Sequence, residues 1–274
     1  MSIDDLPLLL EPEALEPLLA RAGLHVVSLC KDSTYGQLHI PGAVHLAYAA
    51  ITASRGMTHG LLPATEQLES VLAAHGIGND AWVVAYDDEG GGNASRLLWT
   101  LEALGHKRYS LLNGGLHAWA NERHPLSRES VQPAAAVFRA NPDSTPLADA
   151  PYIQQRLDND DLALWDARSL NEYRGISRFA QFAGHIPGAV NLDWFEVMDR
   201  ENNLRLKPAA RLREILTRLG LTPDKAIVTY CQTHHRSSLA WFVLKYLEYP
   251  QAKGYPGSWS DWGNRADTPK ETTG

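Results

Sequence analysis

Cysteine is scarce in this chain: its 274 residues hold only two, Cys30 and Cys231. One disulfide is arithmetically possible, but a chain of this length needs none, and the missing Cys-x-x-Cys spacing excludes a zinc-finger or dithiol redox pattern. Both cysteines read as free thiols in a reducing compartment. No apolar run approaches the roughly 20 residues of a membrane span, which leaves a membrane role unsupported. Positive charge is in deficit, with 25 Lys and Arg against 32 Asp and Glu and a net charge of −7. That balance argues against a nucleic-acid partner, because phosphate neutralisation needs a basic surface. The amino-terminal stretch lacks a basic opening and carries Asp4, Asp5, Glu11, Glu13 and Glu16, so it reads as cytoplasmic rather than as a secretory signal.

The main positive feature is an internal repeat. His39-Ile40-Pro41-Gly42-Ala43-Val44-His45-Leu46 returns as His185-Ile186-Pro187-Gly188-Ala189-Val190-Asn191-Leu192, identical at seven of eight positions. Each copy is flanked by the same order of elements. The first has strands at 25–29, 81–86 and 109–112, helices at 63–75 and 95–104, a polar loop at 31–38 and a partly helical start over 1–22. The second has strands at 162–165 and 226–230 and helices at 208–219 and 237–249. Asp87 follows His39 by 48 positions and Cys231 follows His185 by 46, a near-constant register that means a duplicated domain. Strands alternating with helices predict an α/β fold, a mostly parallel sheet with helices on both faces in each half. The expected division is 1–131, a linker at 132–146 where no period is sustained, and 147–274.

The chemistry centres on Ala226–Tyr249. Ile227, Val228, Thr229 and Tyr230 read as a central buried strand, and Leu239, Phe242, Val243, Tyr246 and Leu247 as the apolar stripe of an amphipathic helix. Between them runs Cys231-Gln232-Thr233-His234-His235-Arg236-Ser237. A cysteine at the carboxyl end of a strand and the start of a helix meets unpaired N–H groups and the positive end of the helix dipole. That setting lowers a thiol pKa and suits an anionic sulfur or phosphorus substrate. Ligands of open α/β sheets bind beside the carboxyl ends of strands, which puts Cys231 in the same place by a second argument. Against this stands the plain alternative of a small buried hydrophobe, but a structural cysteine has no need of Gln, Thr, His, His and Arg directly after it. Adjacent histidines with one cysteine do not make a metal site. In the first copy Asp87 aligns with Cys231 in an acidic, glycine-rich loop, so the first domain is expected to keep the fold without the chemistry.

With the paired His-Ile-Pro-Gly-Ala motifs and Cys-Gln-Thr-His-His-Arg-Ser, the chain resembles the rhodaneses, the thiosulfate:cyanide sulfurtransferases, in their two-domain bacterial form, over nearly its whole length. The resemblance implies an enzyme whose Cys231 takes sulfane sulfur from thiosulfate as a covalent persulfide and passes it to cyanide or another thiophilic acceptor. It implies no cofactor. Arg236 would offer a planar fork to sulfonate oxygens, or else fold back on the loop. His234 and His235 would add pH-dependent charge or fill the loop. Asp166-Ala167-Arg168 matches the family's Asp-x-Arg, an ion pair that supports the loop. Arg174 and Arg178 both lie where a substrate arginine is expected, and Trp194 would line the pocket or the core. Gln232 and Thr233 depart from the Arg and Lys of mammalian rhodaneses, which puts cyanide detoxification as the cellular task in doubt. His-His-Arg departs from the small neutral loop of mercaptopyruvate sulfurtransferases. Three other readings remain: transfer from mercaptopyruvate, a persulfide carrier serving a protein acceptor, and a cysteine phosphatase, whose loop places arginine six positions after cysteine where this chain has Ser237.

Overall fold

The computed structural model describes residues 3–273; residues 1, 2 and 274, at the outer ends of the two expected domains, lie outside it. The chain runs β1 (Leu9–Leu10), α1 (Pro12–Leu15), β2 (Leu24–Ser28), α2 (Asp32–Gln37), β3 (Val44–His45), β4 (Ala53–Arg55), β5 (Thr58–Leu61), α3 (Thr65–Ala74), β6 (Trp82–Tyr86), α4 (Gly92–Ala103), β7 (Tyr109–Leu112) and α5 (Gly115–Asn121). It continues with α6 (Ala150–Gln154), β8 (Leu162–Asp166), α7 (Leu170–Tyr173), β9 (Val190–Asn191), β10 (Met198–Asp199), β11 (Arg205–Leu206), α8 (Ala209–Arg218), β12 (Ala226–Tyr230), α9 (Arg236–Tyr246), β13 (Ala252–Gly254) and α10 (Ser258–Trp262). Among the described residues no helix is long and apolar enough to cross a membrane.

Contacts gather Met1–Ile51, Pro63–Asp143 and Met198–Leu206 into one compact unit, and Thr52–Leu62, Ser144–Val197 and Lys207–Gly274 into another. The first unit carries a parallel sheet in the order β1-β7-β6-β2-β3. Its middle strand β6 is buried at every position, as its run of Trp, Val, Val, Ala and Tyr demands. The β10–β11 hairpin belongs to this unit: Leu206 N–H donates to Asn113 Oδ1 at 2.8 Å, and Arg205 pairs with Glu11 and Glu122. Residues 132–143 form no regular element, yet Ala136 N–H donates to Ala73 O, Asn141 N–H to Leu104 O, and Phe138 is buried.

The second unit has a parallel sheet in the order β13-β12-β8-β9, with β12 central and fully buried. The repeated motif has a physical reason in both copies. The His39 ring stacks on Tyr35 at 4.0 Å and the Tyr35 hydroxyl donates to Ala43 O; the His185 ring stacks on Tyr173 at 3.7 Å and the Tyr173 hydroxyl donates to Ala189 O. The N–H of the next residue, Ile40 or Ile186, donates to the hydroxyl of the tyrosine that ends the central strand, Tyr86 or Tyr230. Gly42 and Gly188 turn the chain at φ of 77° and 73°, a region closed to most side chains.

Local readings of the sequence fail in four places. The polar stretch 31–38 holds helix α2, and the segment read as partly helical also contributes edge strand β1. The edge strand β13 is too short and mixed, Ala-Lys-Gly, to show a strand pattern. Helix α9 is not amphipathic: Ser237 through Leu244 are all buried, so neighbouring elements cover it on every side rather than along one stripe.

Candidate active site

Cys231 follows β12 directly, and its whole side chain is buried. Two layers of structure hold the loop in place. Beneath it, Tyr230 is the register partner of Asp166 on β8. Asp166 takes a fork from Arg168, with Nε to Oδ1 at 2.9 Å and Nη2 to Oδ2 at 2.5 Å, and Arg168 Nη2 also donates to Gly184 O at 2.7 Å. The pair is buried completely, which only these several hydrogen bonds make tolerable. The Arg168 guanidinium lies over the Trp259 ring at 4.5 Å, and the Trp259 backbone N–H donates to Cys231 O at 2.9 Å. The ion pair is thereby tied to the loop through one tryptophan.

Beside the loop stands the turn into α10. Ser258, at φ 50°, donates its hydroxyl to Tyr255 O and accepts from the N–H groups of Cys231 at 3.2 Å and His234 at 3.1 Å. Ser260 N–H donates to Gln232 O at 2.9 Å. The β4–β5 hairpin arrives on the same backbone: a Cβ on Gly60, at φ 78°, would stand 2.0 Å from Thr233 O. Gln232 donates from its side chain to Phe179 O at 3.1 Å.

The charges decide the state of the thiol. Burial pushes the Cys231 thiol up; the Arg236 charge, hydrogen bonds from the Ser237 hydroxyl and N–H, and His235 outweigh it, and the net shift is downward. Arg236, expected to present its fork to sulfonate oxygens, is engaged by Glu172, with Nη1 to Oε2 at 2.7 Å and Nη2 to Oε1 at 2.8 Å. Glu172 also closes a capping box with Ser169 at the start of α7. Trp194 is buried and packs its ring on His235 at 5.5 Å. Arg174 is exposed at the end of α7, while Arg178 donates to the Ala180 and Gln181 carbonyls. Glu172, Ser258 and Gly60 were not singled out from the sequence. Ser169-x-x-Glu172 was legible as a cap, but its pairing with Arg236, 64 residues on, was not.

The first copy repeats the loop without sulfur. From Asp87 to the start of α4 at Gly92 is as far as from Cys231 to the start of α9 at Arg236. Asp87 Oδ1 accepts from the N–H groups of Glu89, Gly90 and Gly91 at 3.0, 3.1 and 2.8 Å, and Oδ2 from Ala94 at 2.9 Å. The acidic loop is a cradle of N–H groups filled by its own carboxylate. Ser28 and Cys30 stand where the second copy has Asp166 and Arg168, so the supporting ion pair is gone as well. Burial, with Asp87 and Asp88 close by, pushes the Cys30 thiol well above its ordinary value. Among the described residues the group with metal-compatible spacing is Glu13, Glu122 and His124, a surface cluster of the first unit whose Glu122 is bonded by Arg205.

Two parallel sheets built on the same repeated motif, one of them ending in a cysteine loop at the start of a helix, define a duplicated α/β protein. The rhodanese-like domain model matches residues 11–122 and 149–265, and the chain belongs to that family. It is 47% identical over 268 residues to a thiosulfate sulfurtransferase of Azotobacter vinelandii, covering 97% of each chain, and 44% identical to one of Pseudomonas aeruginosa, covering 97% of this chain and 98% of that one. The sulfur carrier protein TtuD of Thermus thermophilus is 36% identical over 74% of this chain and 75% of its own. Among solved structures, the anaerobic ergothioneine biosynthesis enzyme of Chlorobium limicola superposes with a TM-score of 0.88 at 22% identity, covering 97% of this chain and 70% of that one.

Proposed function

We propose that the chain is a thiosulfate sulfurtransferase that works by double displacement through Cys231. The Cys231 thiolate attacks the outer sulfur of thiosulfate, the S–S bond breaks, and sulfite leaves with that bond's electron pair. The persulfide left on Cys231 gives its outer sulfur to cyanide or another thiophile, and the thiolate returns. The single observation that carries this reading is the placement of a fully buried cysteine at the carboxyl end of β12, in the loop that opens α9 at Arg236; the Arg236 charge favours its thiolate. The Asp87 loop supports it. A carboxylate oxygen and the outer sulfur of a persulfide stand two bonds from their Cβ, and the N–H groups that hold Asp87 Oδ1 correspond to those of Thr233, His234 and His235. His234 N–H is committed to Ser258.

In this reading Arg236, held by Glu172, acts as a fixed positive charge on the sulfur rather than as a free clamp. Arg174, exposed at the end of α7 and with no part in the loop's ion pairs named above, is assigned to the donor's sulfonate. The persulfide is the only intermediate group required, with no added cofactor, and the two free thiols fit the reducing cytoplasm. The similarity to a protein named as a sulfur carrier favours a second reading in which the acceptor is a protein thiol.

Incubation with thiosulfate is expected to add one sulfur, about 32 Da, to Cys231, and cyanide to remove it as thiocyanate. An intact mass without the adduct, or an adduct on Cys30, sinks the assignment. Turnover compared across thiosulfate, mercaptopyruvate and an aryl phosphate separates the rival donors.

A further inference from the structure

Large apolar side chains grouped in water mark a surface that something else covers, and this chain groups them beside the cysteine loop. Seven are exposed among the described residues, and four of those, Met57, Ile176, Phe179 and Phe182, lie on two segments of the second unit. One segment is the β4–β5 hairpin, with Met57 at its turn; the other is 174–184, which follows α7. Met57, Arg178, Phe179, Ala180 and Gln181 line a surface groove of about 630 Å³. Each wall of the groove is fixed to one of the two residues that follow Cys231. Phe179 O accepts from Gln232 Nε2 at 3.1 Å, and Gly60 of the hairpin packs against Thr233 O. The same two segments carry Arg55, Arg174 and Arg178, all exposed, and no Asp or Glu, in a chain whose net charge is −7. Asp261, a carboxylate that reaches the hairpin at Thr58, is taken up by the Tyr255 hydroxyl at 2.6 Å.

Cys231 is fully buried, so a broad folded surface does not enter the site, and an acceptor larger than cyanide must reach it with a slender segment. We infer that the groove docks the cysteine-bearing tail of an acceptor protein, an extended segment that is both apolar and acidic. Its apolar side chains cover Met57 and Phe179, and its carboxylates meet Arg55 and Arg178. The tail's thiolate attacks the outer sulfur of the Cys231 persulfide. A new S–S bond forms on the tail, the bond to Cys231 breaks, and its electron pair returns to Cys231 as the thiolate. An anionic bilayer matches the same charges, but it brings no thiol to the loop. The inference rests on the second reading above, in which the acceptor is a protein thiol.

The probes are short synthetic peptides with one central cysteine and the same apolar residues, flanked by Glu, Gln or Lys. The full chain, loaded from thiosulfate, is expected to pass its sulfur to the Glu peptide about 10-fold faster than to the Lys peptide, a preference that shrinks as salt rises. Met57→Ser and Phe179→Ser together are expected to slow transfer to the Glu peptide about 10-fold, and Arg55→Glu to erase most of the charge preference. Discharge to cyanide is expected to stay at the wild-type rate in both variants, which also shows that they fold. If the double variant does not fold, Met57→Ser alone, at the exposed turn, decides with Arg55→Glu between the same outcomes. Equal transfer to the three peptides, or a preference that survives these substitutions, overturns the proposal. So does a dimer in sedimentation that the double substitution dissociates, or cosedimentation with phosphatidylserine vesicles that the same side chains control; the groove then belongs to a second copy or to a membrane. Labelled peptides with Ser in place of Cys, read by fluorescence anisotropy, report docking without any persulfide. Binding selective for the Glu peptide without a thiosulfate adduct sinks the proposed function alone, and an adduct discharged by cyanide without selective binding sinks this inference alone.

Discussion

At the scale of residues, the site is governed by one positive charge and the anion that holds it. Burial alone pushes the Glu172 carboxyl up; the Arg236 fork and Ser169 outweigh it and keep it at about 2, against an ordinary 4.5. A depressed folded-state pKa contributes stability that is fully present above about 4.5 and is lost as pH falls toward about 2. The full difference is at most about 3 kcal/mol. Glu172→Gln is therefore expected to lower the unfolding free energy by about 2–3 kcal/mol at pH 7, with the gap to wild type closing as urea titrations are taken down to pH 3. A gap that does not change with pH would show that the pair contributes nothing through charge. Loss of the carboxylate also leaves Arg236 acting on sulfur uncompensated, so the Cys231 alkylation pKa should fall; a rise would show that Glu172 matters by placing Arg236.

At the scale of elements, the loop depends on segments distant in sequence. Gly60 is the sharpest case, since any Cβ there would collide with Thr233 O and its backbone angle already disfavours side chains. Gly60→Ala is expected to reduce turnover at least about 10-fold by displacing the loop, while α9 and β12 stay intact. Unchanged turnover, with a hairpin that has simply moved aside, would refute the contact. Arg168→Met leaves Asp166 buried and unpaired, for which about 3–5 kcal/mol of destabilisation is expected by chemical denaturation. A cost below about 1 kcal/mol would mean that the pair is not the support the packing indicates.

At the scale of the whole molecule, the repeat sets one loop chemistry beside another on the same fold, Asp87 in the first copy and Cys231 in the second. Burial and neighbouring Glu89 push Asp87 up to about 6 against the N–H groups that pull it down; its carboxylate oxygens fill the cradle of those N–H groups. Asp87→Ala is expected to cost about 1–3 kcal/mol and to leave the sulfur adduct on Cys231 unchanged; loss of the adduct would give the first unit a part in the chemistry. The α/β class, the duplication and Cys231 were legible in the sequence. Buried strands such as Ala226–Tyr230 carry their own pattern, and the His-Ile-Pro-Gly-Ala turn depends on local stacking and glycine angles. The all-round burial of α9, the membership of each hairpin and the partner of Arg236 were not. Each depends on pairs far apart in the chain: Glu172 with Arg236, Gly60 with Thr233, Ser258 with the Cys231 N–H. The sequence by itself determined where Cys231 stands, at the end of a buried strand and before a helix start, because strand, loop and helix start are local. Only the tertiary structure decided which groups set its charge, because desolvation and Coulomb forces act through space and not along the chain.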